Sequence, residues 1–547
     1  MMKNDEPCSF RAISQGEIRG WIREDICPLL PAHFFEDPVP SALAANACVI
    51  RESRLRWAGI LPLSGGEKIF LKRDRSKGGF ESIKYCILPS RGRKEWLTAT
   101  LLEAREVRIP KPLGWMERRR GRLVKESYYI SEAVGSGVSC LDEAAPLASK
   151  AAIVELAKAV RKIQDAVLFH KDFHAGNFLW HETSVILTDL HKAKIVRRLS
   201  LKRKVWMIAH LFHSLRFRWA REHETAFLEA CFEGESLSDE EKEGYLQAIH
   251  LRMDRFQRRQ WRSRTKRCLK QSTEFTIEKE GGMTYYHRRD VSLNRLREVI
   301  QGHRRVVGEE PSSLLKNSPR VVVSIVGKGK ERICVKQFSY PTLGERMKEC
   351  FRREKGLKAW VAANGLRARR MTGLKLLGFV KQKGWLGARE GFLMMEALEN
   401  GQEMDRYLVK GFDDFRSKRR FIRAFAQWLS QLHNKGIDHQ DMKTCNIWVS
   451  EKGGGWDFTL LDLEDVVLDQ TVDGKKLFRT CLQLNTSIPG RISRTDRLRF
   501  LQQYLMYRSV SLEKRKWLKQ MTEETGRRGI LYVAPWGVVR ESPPPQR

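Results

Sequence analysis

No stretch of this 547-residue chain approaches the roughly 18 apolar residues that a membrane-crossing helix needs. The longest candidates, FTLLDL and VVVSIV, are strand-sized. The opening MMKNDEPCSF has no basic segment followed by an apolar one, so no secretory signal is expected. The 11 cysteines, from Cys8 to Cys481, form no C-x-x-C pair and no metal-ligand spacing. That scatter, with an odd number, argues against a disulfide framework or a zinc finger and predicts reduced, mostly buried thiols in a cytosolic protein. Acidic residues are also short: Lys+Arg number 101 against 66 Asp+Glu, a formal charge of +35. Such an excess is silent about fold but calls for an anionic partner, whether nucleic acid, an anionic membrane face or a phosphorylated sugar.

What the chain does have is a copy of itself. A strand with an embedded lysine, KIFLKRD, is matched by RICVKQF, each after a short glycine-containing turn, SGGE and GKGKE. PLGW and LLGF follow, then YYISEAV and FLMMEAL, then FHKDFHAGNFLW and DHQDMKTCNIWV, and last VILTDL and TLLDLE. Lys72 to Lys336, Gly114 to Gly378 and Glu132 to Glu396 are each 264 residues apart; Asp172 to Asp441 is 269 and Asp189 to Asp462 is 273. Elements kept in order with so little drift imply a duplicated domain, and a unit this long is no solenoid repeat.

Each copy reads as strand-rich first and helical second, an α+β class. VVVSIV and RICVKQF are β-branched and aromatic runs around a glycine turn, which predicts a hairpin. In RRFIRAFAQWLSQLHNKG, Phe421, Phe425, Leu429 and Leu432 share one face and Gly436 ends the run, predicting an amphipathic helix. The first copy answers with Ile153, Leu156, Ala157, Val160 and Ile163. The boundary is expected after Leu251, where a basic helix gives way to two strand-like runs around Gly281-Gly282. Two domains follow, residues 1–262 and 263–547.

His439-Gln440-Asp441 sits directly after the amphipathic helix, Asn446 follows five positions on, and a strand–turn–strand return delivers Asp462. Phosphoryl transfer from ATP needs a carboxylate to orient the attacking hydroxyl and accept its proton, and oxygen ligands for magnesium on the triphosphate. Asp441 suits the first task, Asn446 and Asp462 the second. His170, Asp172, Asn177 and Asp189 repeat the arrangement, with a shorter turn, HETS. One H-x-D is ordinarily a surface turn; two copies of H-x-D-x(4)-N, each followed by an apolar hairpin ending in Asp, are not. Upstream, Lys72 and Lys336 lie inside apolar strands, where a lysine usually snorkels from an edge. Here each is read as the lysine holding the α- and β-phosphates. Glu95 and Glu354 are the expected carboxylate partners, with Glu103 and Glu349 as alternatives. Backbone groups just after Glu132 and Glu396 are expected to meet adenine.

The order Lys, Glu, H-x-D-x(4)-N, Asp resembles the protein-kinase-like superfamily. Within it, VKQF with REKGLKAW, LH-x-x-G-I-x-H-x-D-x-K and QLNTSIPGRISRTDRLRFLQQYL look like the lipopolysaccharide kinases of Gram-negative bacteria, the Kdo and core-heptose kinase family. HKDFHAGNFLW and TDLHKAKI carry the likeness into the first copy. It covers nearly the whole chain and is strongest from about Val321 to Leu505. The resemblance implies two tandem protein-kinase-like bilobal domains, ATP, Mg2+ and a sugar hydroxyl acceptor on a lipopolysaccharide core precursor. D-F-G is replaced by Asp189-Leu190-His191 and Asp462-Leu463-Glu464, and the Arg of H-R-D by Lys171 or Gln440, which argues against a phospho-regulated protein kinase. G-x-G-x-x-G is absent; Gly327 and Gly329 read as the next hairpin turn, and LKNSPR around Ser318 is the candidate phosphate cover. An aminoglycoside-type or protein kinase with a soluble acceptor is the alternative enzyme. A basic pseudokinase scaffold is the alternative of another class, disfavoured because Lys, Glu, Asp, Asn and Asp recur in both copies.

The positive charge is concentrated in RRRGRLVK (118–125), RRLSLKRK (197–204) and RMDRFQRRQWRSRTKRCLK (252–270). In the last, Arg252, Arg255, Arg259, Arg262 and Lys266 fall at helical spacing. A solvated face is the ordinary reading. An anionic inner-membrane surface is the functional one, at about 1 kcal/mol per basic residue near anionic lipid. Nucleic acid ranks behind it, since no zinc finger, K-homology loop or RNA-recognition signature accompanies the charge. The expected location is cytoplasmic, peripheral on the inner membrane.

Overall fold

A computed structural model describes residues 9–76, 78–134, 138–139, 149–181, 183–234, 238–346, 354–384, 388–508 and 513–542. The chain divides into two compact units, Met1–Gln257 and Arg258–Arg547, the division falling inside the helix Asp239–Thr265.

Unit 1 opens with a seven-stranded sheet. From edge to edge the strands are Phe10–Gln15, Ile18–Arg23, Pro112–Arg120, Leu123–Glu132, Lys68–Arg75, Arg56–Pro62 and Cys48–Glu52. Every neighbouring pair is antiparallel. Unit 2 repeats it: Phe275–Glu280, Met283–Arg288, Leu376–Lys383, Ala388–Glu396, Ile333–Ser339, Val321–Val326 and Lys316–Asn317. The expected hairpins are both there, VVVSIV paired with RICVKQF and the two strands around Gly281-Gly282. A turn closed by a serine caps the edge hairpin in each unit. The hydroxyl of Ser53 donates to the Arg56 carbonyl at 3.1 Å and that of Ser318 to the Val321 carbonyl at 2.9 Å. The LKNSPR segment is therefore the tip of an ordered hairpin.

The helical part of each unit is organised by the amphipathic helix. Lys150–Asp165 buries Ile153, Leu156, Ala157, Val160 and Ile163, the face read from the sequence. Phe415–Asn434 buries Phe421, Phe425, Leu429 and Leu432. Ser149 and Asp414 cap the N-termini by accepting from the amides of Ala152 and Ser417. Gly436, at φ 72°, turns the chain out of the second helix in the left-handed conformation open to glycine. Each helix leads into a short strand, Leu168–His170 or Ile437–His439, whose partner is Ala193–Ile195 or Val466–Leu468. These two-stranded ladders matter most for the site. They bind the start of the H-x-D loop to the chain just past the second aspartate, closing both segments around one point.

Two expectations change. Among the described cysteines all are free, but only Cys231, Cys268 and Cys481 are buried while Cys48 and Cys86 are exposed, so the thiols are not mostly core residues. The basic helix is not a uniform solvated face either. Arg252 lies 4.0 Å over the Trp206 ring, and Arg262 pairs with Asp469 at 2.9 Å. Arg255, Arg259 and Lys266 do stand exposed.

Candidate active site

The loop after the amphipathic helix is held in the same way in both units. His170 and His439 are fully buried. In unit 1 the His170 Nδ1 accepts from the amide of Asp172 at 3.1 Å, and its Nε2 lies 3.0 Å from the Asp189 carbonyl. In unit 2 the His439 Nδ1 accepts from the amide of Asp441 at 3.2 Å, and Nε2 lies 3.0 Å from the Leu461 carbonyl. The histidine of H-x-D is thus a strut between the two halves of the site, with both ring nitrogens used. The asparagine is the second strut. Asn177 Nδ2 donates to the Asp172 carbonyl at 2.7 Å, and Asn446 Nδ2 to the Asp441 carbonyl at 2.8 Å. With the amide nitrogen committed to the loop, the side-chain oxygen is the atom left for a cation.

Asp189 and Asp462 stand at φ 55° and 45°. Aspartate tolerates the left-handed region better than most residues, at a cost of order 1–3 kcal/mol. The twist turns each carboxylate back toward the lysine strand. Lys72 Nζ lies 2.5 Å from Asp189 Oδ1 and 3.0 Å from both oxygens of Glu95. Burial works against the Lys72 charge, yet Glu95 and then Asp189 more than restore it and hold the ammonium above the ordinary lysine value. Burial likewise opposes ionisation of Asp189, but His191 and Lys72 outweigh it and hold the carboxyl far below the usual range.

Unit 2 brings Lys336 to Asp462 in the same way, at 2.7 Å, but its second carboxylate is Glu464, also at 2.7 Å. Glu354, expected in that place, pairs instead with Lys381 at 3.3 Å. The reason is helix register. Glu354 is the N-cap residue of the helix Lys355–Ala368, as Ser90 is of Arg91–Glu103. At the same 264-residue offset, Gly92 and Gly356 press against the sheet so closely that a Cβ would meet the Tyr128 carbonyl oxygen at 2.4 Å or the Phe379 ring at 2.3 Å. Trp96 and Trp360 match as well, and the counterpart of Glu95 is Ala359. Five polar positions therefore recur in unit 2 only when Glu464 is counted. Of the alternatives, Glu103 is exposed at the far end of its helix, and Glu349 lies outside the described residues.

The aspartates of the two H-x-D loops, Asp172 and Asp441, also carry different cations. Asp172 Oδ2 accepts from Lys192 at 2.5 Å, with His174 Nε2 at 4.0 Å from Oδ1. Burial raises the tendency of Asp172 to hold its proton, but the bond and charge of Lys192 prevail and leave it below the usual carboxylate value. Asp441 pairs with Lys443, two residues on, at 2.9 Å. Lys192, Lys443 and Glu464 were given no role from the sequence. Lys443 could have been given one, since it sits inside the H-x-D-x-K-x-x-N run; Lys192 and Glu464 give no signal beyond following Asp189 and Asp462 by three and two residues.

Asn177 with Asp189 and Asn446 with Asp462 offer hard oxygen donors, the set magnesium takes when a triphosphate supplies its other ligands. Among the described residues no cluster of three or more His, Cys, Asp or Glu could hold a metal alone; a metal delivered with a nucleotide needs no such cluster, and the donor sets fit. At the inter-lobe strand the amides of Ala133 and Ala397, expected to face a base, already donate to the Lys68 and Arg332 carbonyls at 2.9 Å.

No curated protein matches the chain. A solved structure of WaaP in complex with acyl carrier protein aligns at a TM-score of 0.31 with 19% identity, covering 40% of this chain and 92% of that one. The description "Lipopolysaccharide kinase (Kdo/WaaP) family" matches residues 65–230 and again 347–504. One match falls in each unit, and together they take in both H-x-D loops and the aspartates Asp189 and Asp462 that follow them. The chain belongs to the lipopolysaccharide kinase (Kdo/WaaP) family and is a phosphotransferase that acts on a hydroxyl, built as two tandem kinase-like domains.

Proposed function

We propose that the chain transfers phosphate from ATP, with magnesium, to an inner-core sugar hydroxyl, Kdo or heptose, of a lipopolysaccharide precursor at the cytoplasmic face of the inner membrane. The observation that carries this reading is that, in a member of this family, a buried lysine meets the metal-side aspartate in each unit, at 2.5 Å in unit 1 and 2.7 Å in unit 2. In each unit an asparagine ties itself to the catalytic aspartate's own carbonyl. Asp172 and Asp441 orient the acceptor hydroxyl and take its proton. Lys72 and Lys336 hold the α- and β-phosphates, and Asn177, Asp189, Asn446 and Asp462 are the magnesium ligands. When bound, the metal neutralises charge on the phosphates. Ser53 and Ser318 shape the hairpin tips that would cover them.

Among the described residues no helix is long and apolar enough to cross a membrane. Attachment to the inner membrane is then electrostatic, through basic residues such as the exposed Arg255, Arg259 and Lys266. Mass spectrometry of lipid A–core from cells with and without the protein tests the function. A difference of one or more phosphates on the core sugar supports it. An unchanged core, together with phosphorylation of a soluble acceptor by the purified chain, overturns it.

A further inference from the structure

We propose that in unit 2 the task of holding the phosphate-binding lysine has passed from the helix to the loop after the metal-side aspartate, so that Glu464 positions Lys336 as Glu95 positions Lys72. This rests on the kinase reading of unit 2.

The two lysine sites share their backbone frame but differ at two positions. On the helix, Glu95 is answered by the fully buried Ala359. On the loop, two residues past the aspartate, His191 is answered by Glu464. His191 turns its Nδ1 to Asp189, at 2.7 Å, whereas Glu464 turns to the lysine. One position loses a carboxylate and the other gains one, so both lysines meet two carboxylates.

The physics requires some such exchange. Lys336 is 9% exposed, and a buried ammonium is costly unless it is paired. Asp462 alone is a poor sole partner, because its oxygens must also serve a cation. Glu464 supplies the lasting counter-charge and leaves Lys336 on Asp462, the contact that Lys72 keeps with Asp189. Its place has a mechanical consequence too. Glu95 ties the lysine to a helix, while Glu464 lies in the short 3-10 turn Leu463–Asp465 that begins at the metal-side aspartate itself. Lysine and metal ligand in unit 2 are therefore set by one turn of chain.

The test uses the full chain with Lys72→Ala and Asp189→Ala, so that nucleotide binding reports unit 2. Affinities for Mg·ATP, Mg·ADP and adenosine are measured, with thermal unfolding as a check on folding. Glu464→Gln is expected to weaken ATP and ADP by about tenfold or more and adenosine by less than about twofold, since the lysine touches phosphate and not the base. A packing defect would weaken all three. Ala359→Glu combined with Glu464→His, which rebuilds the unit 1 arrangement, is expected to bring ATP affinity back to within about threefold of the parent. Parent-like ATP affinity in Glu464→Gln, or a folded double variant no better than Glu464→His alone, overturns the inference while leaving the kinase reading intact. A parent that binds no ATP in unit 2 removes both.

Discussion

Lys192 donates to Asp172 from 20 residues further along the chain, whereas Asp441 takes its lysine from only two residues away. The position matching Lys443 in unit 1 is His174, and the one matching Lys192 in unit 2 is Asp465. The cation beside the H-x-D carboxylate has thus changed its place in the chain while the carboxylate has not. Because Lys192 holds the Asp172 carboxyl below its usual value, removing that charge must raise it. In a chain with Asp441→Asn, so that only the first site turns over, Lys192→Met should move the acid limb of the kcat/KM profile to higher pH. The base is needed ionised, and it would begin to protonate sooner as pH falls. Lys192→Arg should leave the limb near its original position. A limb that does not move in Lys192→Met would show that Asp172 is not the titrating base.

Asp441→Asn should cut turnover at the second site by about 10²–10⁴-fold, the usual worth of a positioned base. Nucleotide binding should persist, because Lys336, Asn446 and Asp462 are untouched. The two H-x-D loops follow different walls, LHNKGIDHQD and IQDAVLFHKD, and specificity is set by the walls around the reacting hydroxyl. Phosphate mapping on products of Asp172→Asn and Asp441→Asn should therefore show two different positions lost. Loss of every phosphate with Asp441→Asn and none with Asp172→Asn would make unit 1 a docking or regulatory copy.

The protein should sediment with vesicles containing anionic lipid and not with neutral ones. Screening falls to about 3 Å at 1 M salt, so high salt should release it. Retention at 1 M would point to apolar insertion; the exposed Trp536 and Val538, 74% and 72% accessible, are the first residues to substitute in that event.

Arg369, 2% exposed, ties several parts of unit 2 together. It meets Asp469 at 2.5 Å and donates to the carbonyls of Gly365 and Lys435, each at 3.1 Å. Asp469 retains Arg262 when Arg369 is lost, which limits the damage to about 3 kcal/mol, the low end for breaking a buried pair. Denaturant unfolding of Arg369→Ala, followed by a probe confined to unit 2, measures it. A change under about 1 kcal/mol would mean the pair is no better than a surface contact.

The duplication, the hairpins, the buried faces of the two amphipathic helices and the H-x-D-x(4)-N loops were legible because each is a local pattern. A helical or strand period, or a five-residue spacing on one loop, is written in adjacent residues and survives in any fold that uses it. The partners of the charged groups were not legible. Lys336 and Glu464 are 128 residues apart, and Lys72 on its strand meets Glu95 on a helix that Gly92 lets lie against the sheet. Glu354 has the right residue type at the right helix, yet it stands at the N-cap position and faces Lys381. An ion pair requires opposite charge within reach and is indifferent to which backbone supplies it. Sequence alone therefore determined that each copy carries an embedded lysine, an H-x-D-x(4)-N loop and a following aspartate, and tertiary structure alone decided which carboxylate holds the lysine and which lysine attends the aspartate of the loop.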